Sequence, residues 1–392
     1  MPRSSLLVLV AAIALAITPW QSATAQSTPV APSLPPPQPT ALLVFTTQDP
    51  MWVPASDGDV HLVYDLVMTN IFSSPVTITS IEVLTTDGAL LLHLAGDALP
   101  AVTRPVFGDT PTAIAPTSGA IVTLIDVRVP PGAVPQRLTH RITYALEPGA
   151  PAGALLSGRI VEGPETIVVD RPPQIIAPPL RGGGWVNVNG CCAASPHRSL
   201  RLVVDGSQIT TVQMFAIDWV QIEDAATFAG DGARNDDHFA FGEDLLAVAD
   251  GRVVVVRDDL ADTAPFRESG LQEPGDLFGN QIVLEIAPGA YAIYAHVQQG
   301  SARVQAGDMV RSGDTLGKVG NSGNAESPHL HFQLSDGPDL MTSTSLPFVI
   351  DAWTLDGSMS PDRSPTPIQA TGPAGPQAST LPLELTVASF AE

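Results

Sequence analysis

The chain is expected to be all-β, with an N-terminal immunoglobulin-like β-sandwich followed by a compact antiparallel β-sheet domain. Three observations point there. Its 392 residues include 38 prolines and 33 glycines, a composition that favours short strands and many turns over long helices. Runs such as Val60-His61-Leu62-Val63-Tyr64-Asp65-Leu66-Val67 and Val76-Thr77-Ile78-Thr79-Ser80-Ile81 are β-branched and alternate, as a half-buried strand requires. No stretch shows an amphipathic helical period of any length. The hydrophobic fraction of 44% allows a proper core, and the length allows two or three domains.

The elements follow in order. Residues 1–25 begin with Arg3, continue through an apolar run at 6–17 and end in Ala23-Thr24-Ala25, the pattern of a cleaved secretory signal. That run falls short of the roughly 20 residues of a transmembrane helix, so no membrane span is expected after cleavage; an uncleaved anchor is the alternative. No cysteine follows it, which argues against a lipoprotein anchor. The expected location is secreted, periplasmic or extracellular. Residues 26–40, rich in Pro, Ser, Thr and Gln, cannot bury a core and read as a Pro-rich linker. Residues 41–176 hold several alternating runs separated by Pro/Gly turns at the spacing of a sandwich. His61, His93 and His140 are scattered singly there and read as ordinary strand or surface residues.

Prolines and glycines at 171–184 punctuate a boundary. The second domain is placed at 183–353, with β-like runs at 200–204, 209–220, 244–256, 281–294 and after His329. The tail, 354–392, is rich in Pro, Ser, Gly and Thr and ends in a strand-like segment whose partner domain is left open. A net charge of -22 excludes nucleic acid as a partner, since that binding draws on Lys and Arg, and disfavours adhesion to anionic lipid or polymer. Cys191 and Cys192 are adjacent. A vicinal disulfide, an intermolecular bridge, free thiols and metal ligation are all open to them.

The densest stretch is Gly320-Asn321-Ser322-Gly323-Asn324-Ala325-Glu326-Ser327-Pro328-His329-Leu330-His331-Phe332. A turn rich in Gly, Asn and Ser delivers the chain into a strand. Residues two apart share a face, so His329 and His331 point one way while Leu330 and Phe332 enter the core. Two imidazoles side by side suggest a metal. Upstream, Tyr294-Ala295-His296-Val297 supplies a third histidine, and residues 304–317 read as short strands between Gly and Gly-Asp turns. Alone, the 307–317 hairpin resembles a lipoyl or biotinyl carrier, but Lys318 does not stand at a hairpin tip. Taken together over 183–353, these motifs resemble the M23 metallopeptidases, lysostaphin-like zinc endopeptidases that cut peptidoglycan cross-links.

The resemblance implies a peptidase-like domain and a Zn2+ held by a His-x-x-x-Asp pair and the second histidine of His-x-His. Carried over, His331 is a metal ligand and His296 and His329 are the catalytic pair. The aspartate is Asp218 in Phe215-Ala216-Ile217-Asp218-Trp219. Four residues before it, where the family has its first histidine, stands Met214, next to Gln213; a thioether is a poor zinc ligand. Three readings follow: His197, some twenty residues upstream, replaces it; Cys191 or Cys192 supplies a thiolate; or the site is weakened or empty. His238, in a polar insertion, reads as an exposed loop residue, with lid residue or replacement ligand as alternatives. Asp231, Asp236 and Asp237 match no calcium loop and read as solvated charge. The expected function is a secreted zinc metalloendopeptidase acting on peptidoglycan peptide cross-links. The alternative is a weakened or inactive M23-like module that binds cell wall or regulates a partner.

Overall fold

The alternating runs are strands in the computed structural model, which describes residues 38–150, 155–156, 158–192, 194–267, 273–359 and 374–392. The expected signal and nearly all of the linker lie outside them. In the N-terminal half, Leu42–Thr46, Met51–Pro54, Val60–Asn70, Thr103–Pro105 and Ala120–Val129 form one sheet, and Val76–Thr85, Leu90–Ala95 and Arg137–Leu146 with shorter strands form another. Leu62, Tyr64, Leu66, Ile81, Val83, Ile125 and Ile142 from both sheets pack into one core, so this half is a β-sandwich. Alternation decides which side chains enter it. His61 and His140 are fully buried, and only His93 of the three single histidines is exposed.

The C-terminal half is built on a sheet that counts 12 strands among the described residues. Its centre runs Gly182–Val188, Ile217–Gln221, Leu330–Ser335, Ala290–Val297, Asn280–Ala287, with neighbours antiparallel. Trp185, Phe215, Trp219, Tyr294, Leu330, Phe332 and Leu334 form a core on one side of it. Truncating one of the buried aromatics to Ala would cost about 3–5 kcal/mol. The opposite side carries the polar residues taken up below. Three expected runs are interrupted, of which run 244–256 divides into Asp244–Leu246 and Gly251–Arg257 in different sheets. Run 281–294 is a hairpin, Asn280–Ala287 and Ala290–Val297, turned at Pro288-Gly289 with Gly289 at φ 69°. Run 209–220 breaks where the Ala216 N–H bonds the Gln213 carbonyl at 3.1 Å, a turn that buries Met214 and Phe215.

The tail belongs to this sheet. Thr386–Phe390 lies between Phe348–Ser358 and Gly182–Val188, and Phe348–Ser358 runs through residue 353. Helices are short: Ala98–Ala101 and Pro196–Ser199 have four residues each. No helix among the described residues is long and apolar enough to cross a membrane.

Candidate metal centre

Strand register assembles the centre. Asp218 in Ile217–Gln221 stands opposite His331 in Leu330–Ser335, and opposite residues of an antiparallel pair present their side chains on one face. Their neighbours Ile217, Trp219, Leu330 and Phe332 turn the other way into the core. His296 arrives by a different device. Gln281 pairs with Ala295 and Asn280 with Val297, so His296 is the extra residue of a β-bulge and holds φ 59°. Bulges re-aim a side chain out of the pleat, and a non-glycine residue in this region stores strain of the kind found at functional sites. His329 precedes the strand. His197 comes from Pro196–Ser199, whose N-cap Ser195 accepts a bond from the Arg198 N–H.

The hydrogen bonds fix which ring nitrogens carry protons. Gln333 Nε2 donates to the Val212 carbonyl at 3.0 Å and to Ser335 Oγ at 2.6 Å. Its Oε1 therefore accepts from His331 Nε2–H at 3.2 Å, leaving the Nδ1 lone pair of a neutral ring 2.9 Å from Asp218 Oδ1. His197 Nδ1–H donates to the Ala216 carbonyl at 3.3 Å, so that in the neutral ring the Nε2 lone pair stands 3.1 Å from Asp218 Oδ2. Two acceptors at that distance repel unless a proton or a metal ion lies between them. The three ligand atoms lie within 4.8 Å of one another on buried residues. Two imidazole nitrogens and a carboxylate are the donors of a three-ligand zinc site, so this set fits the ion.

His296 Nδ1–H donates to the Ser322 carbonyl at 2.8 Å and His329 Nδ1–H to the Ser327 carbonyl at 2.7 Å. The two rings lie 4.7 Å apart, centre to centre, and His329 Nε2 is 3.5 Å from Asp218 Oδ1. Burial opposes the Asp218 charge, but His197 and His329, where they carry protons, outweigh it and hold its carboxyl well below the usual range. Burial also disfavours a charged His329, yet the Asp218 carboxylate raises its pKa above the ordinary value. Burial and the neighbouring His329 and His331 push His296 well down, and burial lowers His331. Asn189, at φ 61°, donates to Asp218 Oδ2 at 2.8 Å. These groups line a cleft of about 870 Å³ with apolar walls that include Phe228, Leu277, Phe278 and Met359.

All five expected site residues, His197, Asp218, His296, His329 and His331, thus meet in one cleft. Of the readings for the first ligand, a thiolate is ruled out, because Cys191 and Cys192 are bonded to each other. Met214 is buried in the core, where its sulfur accepts from Gln48 Nε2 at 3.2 Å. His238 is not an exposed loop residue: it is buried, held by the Gly232 carbonyl at 3.0 Å and packed against Phe228 and Phe266. Asp231 and Asp237 bond nearby backbone N–H groups, and Asp236 pairs with Arg234. Sequence reasoning missed Gln333, Asn189 and Ser322. Gln333 was within reach, because it shares the strand face of His331; Asn189 and Ser322 gave no signal beyond being polar residues in turns.

A carboxylate ringed by imidazole nitrogens at the floor of an open cleft is the layout of a metal site with a free position. Residues 236–341 match Peptidase family M23, so the resemblance read in the motifs holds over that stretch. It includes His296, His329 and His331 and stops short of Asp218 and His197. DD-carboxypeptidase/endopeptidase Mpg of Neisseria meningitidis serogroup B is 36% identical over 72 residues, 18% of this chain and 16% of that protein. Cell division protein DipM of Caulobacter vibrioides is 31% identical over 112 residues, 28% of this chain and 16% of that protein. The chain therefore spans only 16% of the length of these relatives. The catalytic domain of the antimicrobial peptidase lysostaphin from Staphylococcus simulans aligns at 21% identity over 37% of this chain and 80% of that one, with a TM-score of 0.22.

Proposed function

We propose that the chain is a secreted zinc metalloendopeptidase that cuts peptide cross-links of peptidoglycan. The observation that carries this reading is the convergence of His331 Nδ1 and His197 Nε2 on the Asp218 carboxylate, a donor set that a divalent cation fits. His331, His197 and Asp218 would hold Zn2+. When bound, the ion supplies Lewis-acid polarisation of the scissile carbonyl and lowers the pKa of a water in its fourth position. The chain's own groups do the rest. His296, with its proton fixed at Nδ1 by Ser322, presents a lone pair at Nε2 that takes a proton from the attacking water. His329 keeps a proton at Nε2 beside Asp218 and donates it as a hydrogen bond to the developing oxyanion. Apolar walls exclude water and seat an extended peptide.

The match to Peptidase family M23 and the printed names of the relatives support peptidoglycan as substrate. The 1–25 pattern and the paired cysteines support an oxidising, extracytoplasmic location. The sequence also admitted a degenerate module that binds wall without cutting, on the ground of Met214. His197 standing at Asp218 supports the catalytic reading over that one. Purified protein is to be incubated with cell-wall sacculi, metal-free, with added zinc, and as His331→Ala. New free amino groups are expected only with zinc and intact His331. Cleavage that persists after chelation or in His331→Ala overturns the mechanism, and a folded protein that binds no zinc and cuts nothing returns the wall-binding reading.

A further inference from the structure

The segment that carries His197 is anchored in the other half of the molecule. Arg198, the next residue, is 1% exposed. Its Nη1 donates to the Cys192 carbonyl at 2.6 Å, and its Nη2 donates to the Tyr64 carbonyl at 3.0 Å, to Asp65 Oδ1 at 2.8 Å and to the Ile125 carbonyl at 3.3 Å. Every partner of Nη2 lies on the sandwich strands Val60–Asn70 and Ala120–Val129. Arg201 closes the segment from its other end. Its Nε donates to Asp65 Oδ2 at 3.3 Å and its Nη2 to the Arg198 carbonyl at 2.6 Å. Thr211 Oγ1 adds a bond to Asp65 Oδ2 at 2.6 Å. Asp65 is fully buried, so one carboxylate of the sandwich is the charge partner of two buried guanidinium groups that follow the candidate ligand, one and four residues on.

We propose that Asp65 is a positioning residue of the metal centre: through Arg198 and Arg201 the N-terminal sandwich fixes the His197 segment and thereby completes the ligand set. The inference rests on His197 being a ligand. Its physical basis is that a four-residue helix cannot hold its own conformation. A guanidinium fork committed to several fixed acceptors can hold it. Without the Asp65 charge, two buried cations lie close together without a counter-ion, and the segment that carries them, with His197 at its start, relaxes. Outer groups that orient a ligand typically govern metal affinity by about 10–100-fold. This gives the sandwich a role in the chemistry of the centre.

The test uses the full chain. Zinc affinity is measured by competition with a chelating dye, and the ligand set is read from the visible absorption of the Co2+-loaded protein, for Asp65→Asn, Arg198→Lys, His197→Ala and Asp65→Asn combined with His197→Ala. The expected result is a dissociation constant at least about tenfold higher in Asp65→Asn. Its Co2+ spectrum shifts toward that of His197→Ala, and Asp65→Asn adds no further loss once His197 is gone. Arg198→Lys, which keeps the charge and loses the fork, moves the same way and decides the matter if Asp65→Asn does not fold. Wild-type affinity and spectrum in the Asp65 and Arg198 variants, with affinity lost in His197→Ala, overturn the inference and leave the metal reading standing. Wild-type affinity in His197→Ala overturns both.

Discussion

Replacing Gln333 by Leu tests the tautomer argument directly. Gln333 is fully buried, so a side chain of similar volume leaves no cavity and costs little in packing. What it removes is polar. His331 Nε2–H loses its acceptor at 3.2 Å, and the Val212 carbonyl and Ser335 Oγ lose their donor. Each buried group left unpaired costs about 1–3 kcal/mol of stability. The proton of His331 is then free to move to Nδ1, where it occupies the lone pair that faces Asp218. Loss of such an orienting partner lowers metal affinity by about 10–100-fold, which corresponds to about 1.4–2.8 kcal/mol of binding. Two measurements check it: zinc competition at neutral pH, and the 15N shifts of the His331 ring, which report the tautomer. Gln333→Glu keeps an acceptor for Nε2–H and loses the donors, so it should lose stability like the Leu variant while holding zinc more tightly. If Gln333→Leu keeps wild-type affinity and an unchanged His331 tautomer, the hydrogen bond to Gln333 does not set the ligand atom and the reasoning fails.

Other predictions concern stability and the origin of the ligands. His61 is held between Asp126 and Asp57, with Arg128 beside both carboxylates; burial opposes its charge, but the two carboxylates raise its pKa from 6.5 to about 9. The raised value stabilises the fold by about 3 kcal/mol, fully present below about pH 6.5 and lost as pH rises through about 9. Denaturant unfolding across that window should show the fall in wild type and its absence in His61→Gln. Gly279 sits at φ 63°, and a Cβ there would lie 2.3 Å from the Ser322 carbonyl that holds His296. Gly279→Ala should lose up to about 3 kcal/mol of stability, read as a lower Tm, and lose turnover with it; a Tm equal to wild type would show that the turn yields freely. Met214→His restores the residue type that M23 sequences carry, but its side chain faces the core. It should cost about 1–3 kcal/mol and return no zinc affinity to His197→Ala. Recovery of affinity in that double variant would mean the turn at 212–216 can reopen toward Asp218.

Much of the site was legible because it obeys local rules. Alternation put Leu330 and Phe332 in the core, which placed His331 on the opposite face. Glycine-rich turns marked where strands end, and the resemblance to the M23 metallopeptidases implied the roles of His296, His329 and Asp218. The same local reasoning failed where a pattern did not end with its element. The run 209–220 read as one strand, and only the 3.1 Å turn bond from Ala216 to Gln213 divides it. His238 read as exposed because polar neighbours surround it in sequence, while Phe228 and Phe266 cover it in space.

By itself the sequence determined that the chain is all-β and which residues share a strand face. Those follow from the two-residue period of an extended backbone, a covalent property that each short window displays. Only the tertiary structure decided that His197 stands at Asp218 while Met214 is buried in the core, that Cys191 bonds Cys192, and that Asp65 lies under Arg198 and Arg201. Asp65 and Arg198 are 133 residues apart in the chain. Their meeting depends on how two sheets pack together, which no window along the chain encodes.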